Sequence, residues 1–210
     1  MSSRAGRFIV IEGPDGAGKS VLTAALADRM RAQGLDPVVV REPGGTPAAE
    51  ALRHEVLDRT RQFEPLGELL YILTARADLI HHVIRPGLEA GRIVVSDRYQ
   101  LSTFAYQVAG RGVDPATATQ LNRAATGGLE PDLTMILDIP AQRGMDRQVA
   151  AGKRQDRLDL QDAGFQQRVI DYYLAVAGAS VRHLDGTRNP EQVQADAWKL
   201  LGERWPDIFK

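Results

Sequence analysis

The chain has 210 residues, a formal net charge of −1 and no cysteine. That charge excludes whole-surface attraction to nucleic acid or membrane. The missing thiols exclude disulfides, cysteine nucleophiles and cysteine metal sites, and suit a reducing cytosol.

The length suits one α/β domain, residues 1–210, with a substantial core. Met1 to Arg7 is polar and basic, and the apolar stretch behind it, Phe8 to Ile11, is cut off by Glu12. A signal peptide is therefore not expected. No apolar run approaches the ~18 residues of a membrane span. A soluble, cytoplasmic protein is expected.

Phe8 to Glu12 reads as a strand, and Val21 to Gln33 as a helix with apolar Val21, Leu22, Ala25, Leu26 and Met30 at helical spacing. Between them stands Gly13-Pro14-Asp15-Gly16-Ala17-Gly18-Lys19-Ser20, which meets the phosphate-loop pattern G-x-x-x-x-G-K-[ST] at every fixed position. The chemistry needs these residues. Glycines let the backbone wrap a polyphosphate closely. Successive N–H groups at a helix N-terminus then form an anion nest. Lys19 reaches the β- and γ-phosphates, and the Ser20 hydroxyl ligates magnesium. All eight residues are expected to bind the nucleotide.

Gly34 is placed to cap the first helix, and Pro37 to Arg41 reads as the second strand. Glu42-Pro43-Gly44-Gly45-Thr46 is a loop at its carboxyl end, where open α/β sheets put ligands. Thr46 caps a helix from about Pro47 to Leu57. Gly67 to Leu88 is the longest helical stretch, apolar on more than one side, so one side can face the sheet and another a second subunit. Arg76 sits amid that apolar surface and needs an anionic or hydrogen-bonding partner. His81 and His82 lie ~100° apart around the helix and read as surface or interface residues.

Arg92 to Asp97 is the third strand, followed by a helix whose Ser102, Thr103, Tyr106 and Gln107 suggest a substrate wall. Gly110-Arg111-Gly112 ends it, and a helix from about Ala116 to Ala125 follows Asp114-Pro115. Leu133 to Asp138 is the fourth strand, and Ala141 to Ala151 another helix. Gly152 to Asp159 is charged and poor in apolar residues. With Arg147, Lys153, Arg154 and Arg157, offset by Asp156 and Asp159, it reads as a lid of about residues 151–160 that brings a cation to the transferring group. A helix from Phe165 to Ala177, a short fifth strand from Val181 to Leu184 and a helix from Pro190 to Trp205 complete the chain. Alternating strands and helices point to parallel βαβ units, and the four histidines form no metal constellation.

A phosphate loop alone is shared by kinases, switch GTPases, motors and partitioning ATPases. No Asn-Lys-x-Asp guanine signature is present, and the chain is short for a motor. The wider pattern resembles the thymidylate kinases of bacteria. It consists of Phe8 to Ser20, Arg41 to Thr46, Ala75-Arg76, Asp97-Arg98-Tyr99 through Gln107, Gly110-Arg111-Gly112, Pro131 to Thr134 with Leu137-Asp138, and Asp156-Arg157.

The resemblance implies a five-stranded parallel sheet of order 2-3-1-4-5, a P-loop NTPase fold of the nucleoside monophosphate kinase type, and a homodimer. It also implies ATP as donor, magnesium, and dTMP as acceptor, converted to dTDP. Asp15 is similar to the residue facing the acceptor sugar, and Arg41 and Arg98 to the pair gripping its phosphate. Arg76 is similar to the arginine on the thymine edge, Thr103 and Tyr106 to residues lining base and sugar, and Asp97 to the carboxylate near magnesium. Gln107 and Ile72 fall in the same substrate set, although Ile72 stands where the family usually has an aromatic. The phosphate loop carries no arginine and the lid is basic, so the resemblance is to the class whose lid supplies the cation. Arg154 comes first, then Arg147 or Lys153. Lys19, Asp97, Arg98 and Arg154 form the implied catalytic set. The alternatives are a kinase for another monophosphate or a deoxynucleoside, an ATP-dependent switch or partitioning protein, and an inactive binding module.

Overall fold

In the computed structural model, which describes residues 6–152 and 156–210, five strands form one sheet. They are β1 (Arg7–Glu12), β2 (Val38–Arg41), β3 (Ile93–Asp97), β4 (Leu133–Asp138) and β5 (Val181–Asp185). All pairs are parallel and the order is β2-β3-β1-β4-β5, as the resemblance implies.

Central β1 explains the two layers that cover the sheet. Its side chains alternate, and both sets are apolar, so both faces are buried. Ile9 and Ile11 pack with Leu22, Leu26 and Met30 of α1 (Lys19–Ala32) and Trp198 and Leu201 of α9 (Pro190–Arg204). Phe8 and Val10 pack on the other face with Leu79, Ile80 and Ile84. Each such side chain contributes roughly 1.5–3 kcal/mol on burial. The in-register pairs Ile11↔Asp97 and Arg41↔Asp97 bring the carboxyl ends of β1, β2 and β3 level.

Helix α1 begins at Lys19, two residues before the apolar pattern, so Lys19 and Ser20 sit on its first turn. Gly34, just past its end, takes a left-handed φ of 77°. Thr46 caps α2 (Pro47–Leu57) by accepting from the Ala49 N–H at 3.0 Å.

The expected single helix Gly67 to Leu88 is instead three segments: α3 (Pro65–Leu79), a π-helical turn Ile80–Ile84 and α4 (Arg85–Glu89). Pro86 is the physical reason, since it lacks an N–H and its ring crowds the carbonyl four residues back. The helix after Tyr99 is likewise α5 (Gln100–Thr103) followed by a π-helical run, Phe104–Gly110. Gly110 admits the Phe165 ring, whose nearest atom would lie 2.5 Å from a Cβ there. Then come α6 (Pro115–Thr126), capped by Asp114, α7 (Ala141–Ala150) and α8 (Ala163–Ala175), which Asp162 caps two residues earlier than its apolar pattern suggests.

Candidate active site

The phosphate loop joins β1 to α1 with Gly13, Gly16 and Gly18 at φ 137°, 77° and 98°, values side chains disfavour. Close approach adds to this. A Cβ on Gly16 would lie 2.2 Å from the Gly144 carbonyl of α7, and one on Gly144 would lie 2.5 Å from the Asp15 carbonyl. The loop and α7 therefore touch backbone to backbone. Lys19 is buried and donates to the Pro14 carbonyl at 2.8 Å. Burial, with Arg98 nearby, lowers its pKa from 10.5 to about 8 against the opposing pull of Asp15, Asp97 and Glu12.

The Ser20 hydroxyl donates to Asp97 Oδ2 at 2.5 Å. A hydroxyl and a carboxylate in contact beside a phosphate nest are the hard oxygen donors that magnesium takes, with phosphates and water completing its shell. The residues fit that ion. Among the described residues no group of three His, Cys, Asp or Glu side chains could hold a metal by itself.

One cleft beside the loop collects Asp15, Ile72, Arg76, Arg98, Thr103, Tyr106 and Gln107. Seven of the expected substrate residues therefore meet. Arg98 stands at φ 76°, the one described non-glycine residue at positive φ. Such a conformation costs ~1–3 kcal/mol and persists where surroundings impose it. Here the Arg98 N–H donates to the Ile11 carbonyl at 2.9 Å. Its guanidinium bonds Asp15 at 2.6 Å, Ser102 at 3.0 Å and Tyr106 at 3.2 Å. Tyr106 in turn donates to Asp15 at 2.8 Å.

Behind this fork lies a residue to which sequence reasoning gave no role. Glu12 is fully buried and accepts from the Tyr99 and Ser102 N–H groups, the Ser102 hydroxyl and Tyr173 Oη, at 2.7–3.1 Å. It thereby holds the start of α5 against the end of β1. An acidic residue closing an apolar strand was the signal available.

Arg76 is 1% exposed, and its need for partners is met by Glu42 (2.6 Å), Thr103 (2.9 Å), Asn122 (2.7 Å) and the Tyr99 carbonyl (3.0 Å). Nε gives one hydrogen, Nη1 two and Nη2 one, so one of five N–H groups remains. Glu42 is raised above the ordinary carboxylate range, by burial first, with Arg76 opposing.

Two expected residues are placed differently. Arg41 does not line the cleft; it pairs with Glu50 at 2.9 Å, and Glu50 also accepts from the Gly45 N–H at 2.8 Å. Besides Arg76 and Arg98, the cleft holds Arg53 of α2, anchored at 2.8 Å to the carbonyl of Pro43, the residue that follows the cis Glu42-Pro43 bond. Arg157 is no free lid residue. It is buried, bonded to Glu68 at 2.6 Å and to the Val56 carbonyl at 2.9 Å, because its charge finds a carboxylate inside the fold. Lys153 and Arg154, the other lid cations, lie outside the described residues. Tyr71 leans on Phe63, ring centroids 5.0 Å apart, and does not line the cleft, whereas Ile72 does, with Pro43, Leu57 and Leu158 as further apolar lining.

On the other side of the loop, a cavity of about 430 Å³ is lined by Gly18, Val21, Arg147, Thr187, Arg188 and Asn189 among others. Arg147 of α7 reaches the Ala17 carbonyl at 3.4 Å. The turn after β5 closes the cavity, and its Gly186 would press a Cβ to 2.6 Å from Ile139. Sequence reasoning gave this turn no role.

A phosphate loop with a cleft lined by polar and charged side chains on one side and a cavity on the other, over a 2-3-1-4-5 sheet, defines a P-loop phosphotransferase of the nucleoside monophosphate kinase type. The family model for thymidylate kinase matches residues 11–197. The thymidylate kinase of Deinococcus radiodurans is 43% identical over 202 residues, spanning 95% of this chain and 98% of that protein. That of Ectopseudomonas mendocina is 44% identical over 202 residues, spanning 93% and 95%. The crystal structure of thymidylate kinase from Ehrlichia chaffeensis superposes with a TM-score of 0.76 at 27% identity, over 94% of this chain and 99% of that one. The chain belongs to the thymidylate kinase family.

Proposed function

We infer that the chain transfers the γ-phosphoryl group of ATP to dTMP, with magnesium, to give ADP and dTDP for dTTP synthesis. The observation that carries this reading is the Arg98 fork. One guanidinium joins Asp15 of the phosphate loop to Tyr106 of the acceptor cleft, so the groups that would hold donor and acceptor are one unit.

In this reading the donor triphosphate lies in the loop with adenosine toward the cavity by Thr187 and Arg188, and the acceptor phosphate lies against Arg98 and Arg53. Arg41 stays paired with Glu50 outside the cleft, so Arg98 and Arg53 carry the acceptor phosphate in this reading. Asp15 and Tyr106 hold the sugar, and Ile72 packs on the base. The base edge meets the spare Nη2–H of Arg76, together with Thr103 and Gln107. The acceptor is already ionised at neutral pH, so alignment and charge neutralisation carry the rate. Magnesium on Ser20 and Asp97 supplies neutralisation when bound. Lys19 and Arg98 hold the transferring group from the chain's own side, and Arg154 of the lid is our choice for the last cation, with Arg147 in reach of the loop as it stands.

We further propose that residues 1–210 act as one domain with a lid at about 151–160, and that the protein is cytoplasmic; among the described residues no helix is long and apolar enough to cross a membrane. A homodimer through α3 is supported by Leu66 and Leu70, apolar side chains four residues apart on one helical face that remain exposed, with the exposed Tyr71 beside them. The test is ADP release in a coupled assay across dTMP, dUMP, dCMP, AMP and thymidine. We expect dTMP to be the best acceptor; ADP release indifferent to acceptor would refute the reading.

A further inference from the structure

Glu68 of α3 is completely buried, yet it is not part of the cleft wall. Its Oε1 accepts from Gln107 Nε2 at 2.9 Å. Its Oε2 accepts from Arg157 Nη2 at 2.6 Å, with Arg111 Nε 3.5 Å away. A carboxylate held by guanidinium groups can only accept hydrogen bonds. The end of Gln107 that faces it is therefore the NH2 group, and the chemistry rather than a choice between look-alike atoms decides this. The Gln107 carbonyl oxygen is then the end left to the cleft, which Gln107 lines.

A wall offering that acceptor beside the spare Arg76 donor matches a base edge with a ring N–H next to a carbonyl. Thymine has this edge at N3 and O4. Cytosine presents the reverse, a bare ring nitrogen beside an amino group.

We propose that Glu68 is a positioning residue that sets pyrimidine discrimination by fixing the orientation of the Gln107 amide. It acts from behind the wall and touches no substrate. The proposal rests on the dTMP reading above. Burial makes the control strong, because turning the amide would face two acceptor oxygens together in a dry site. Arg157 holds the carboxylate from the other side.

The test compares dTMP with 5-methyl-dCMP, which differ only along the base edge in question. The ratio of kcat/KM for the two acceptors is measured, with competitive inhibition constants where turnover is slow. Glu68→Gln keeps the volume but lets the amide at 107 face either way. We expect the preference for dTMP to fall by about tenfold or more, mainly through KM, since hydrogen-bond readout carries large ratios. In a Gln107→Met background the same change should leave the ratio unaltered. Arg157→Met should lower turnover of both acceptors alike.

A folded Glu68→Gln protein with an unchanged ratio overturns the proposal. So does an equal effect in the Gln107→Met background, or a matching shift from Arg157→Met. Melting curves accompany every variant; if Glu68→Gln does not fold, Glu68→Asp retracts the acceptor and should shift the ratio in the same direction. Wild-type protein that ignores dTMP would sink the underlying reading instead, so the two failures are distinguishable.

Discussion

The lowered pKa of Lys19 couples nucleotide binding to protons. The amine is buried, bonded to the Pro14 carbonyl and titrates at about 8. A triphosphate arriving in the loop brings negative charge to the same atom and restores a value near ~10.4 or above. At pH 9 the free protein then carries roughly 0.1 of a proton on Lys19 and the complex nearly one, so binding takes up about 0.9 proton. At pH 7 the uptake shrinks to about 0.1. Donor affinity should fall about tenfold per pH unit between 8 and 10, at ~1.36 kcal/mol per unit.

Calorimetric titration of Mg·ATP at pH 9, in two buffers of different ionisation enthalpy, reads the uptake directly; Lys19→Met should abolish it. Wild-type uptake under about 0.2 at pH 9, or equal uptake in Lys19→Met, would refute the reasoning. Stability follows the opposite course. The folded pKa lies below the unfolded 10.5, so between about 8 and 10.5 the unfolded chain binds more protons. Nucleotide-free protein should gain from this group as pH rises through that window, by about 3 kcal/mol in full.

Other outcomes follow from single contacts. Arg98→Ala and Arg98→Gly should both lose about 10³-fold or more in kcat. The glycine variant, free of strain at φ 76°, should be more stable by ~1 kcal/mol and melt about 2–4 °C higher; equal melting points would argue against strain. Gly144→Ala puts a methyl 2.5 Å from the Asp15 carbonyl. Pushing α7 off the loop should reduce kcat/KM for ATP about tenfold to a hundredfold, while dTMP affinity, read by titration without ATP, stays within about twofold. His183 bonds acceptors through both ring nitrogens, Asp138 at 2.9 Å and the Val176 carbonyl at 2.8 Å. Burial opposes the charged ring, but these partners win and its pKa is raised. Its contribution is fully present below the unfolded value near 6.5 and fades as pH rises through the folded one. His183→Gln should therefore lower the melting temperature more at pH 5.5 than at pH 9, and a pH-independent difference would count against this.

What could be read from the residues alone divides by distance along the chain. The phosphate loop, the five strands and most helix caps are local patterns in which a few neighbouring residues carry the physics, and all appear where expected. The parallel order itself came through resemblance, since periodicity does not say which strand lies beside which. The cleft was legible where a motif marks a residue, as at Asp15, Arg76 and Arg98.

It was not legible where two arginines compete. Arg41 and Arg53 both lie near the end of β2, and only the fold shows Glu50 occupying the first while the second turns inward. Arg157 makes the same point more sharply. In a run of charged residues it reads as solvated, but a carboxylate 89 positions away draws it inside. Glu12 and Glu68 escaped for the converse reason. An acid in an apolar segment looks like a surface residue until its donors are in place, and those come from α5, α8, the π-helical run and the lid base. The web of buried acids is thus the least readable part of the site. It is also the part that ties the phosphate loop to the acceptor wall, since Glu12 holds Ser102 and Ser102 meets Arg98. Selection on such acids would act through geometry they impose on others, which is why a motif search that asks what touches substrate passes them by.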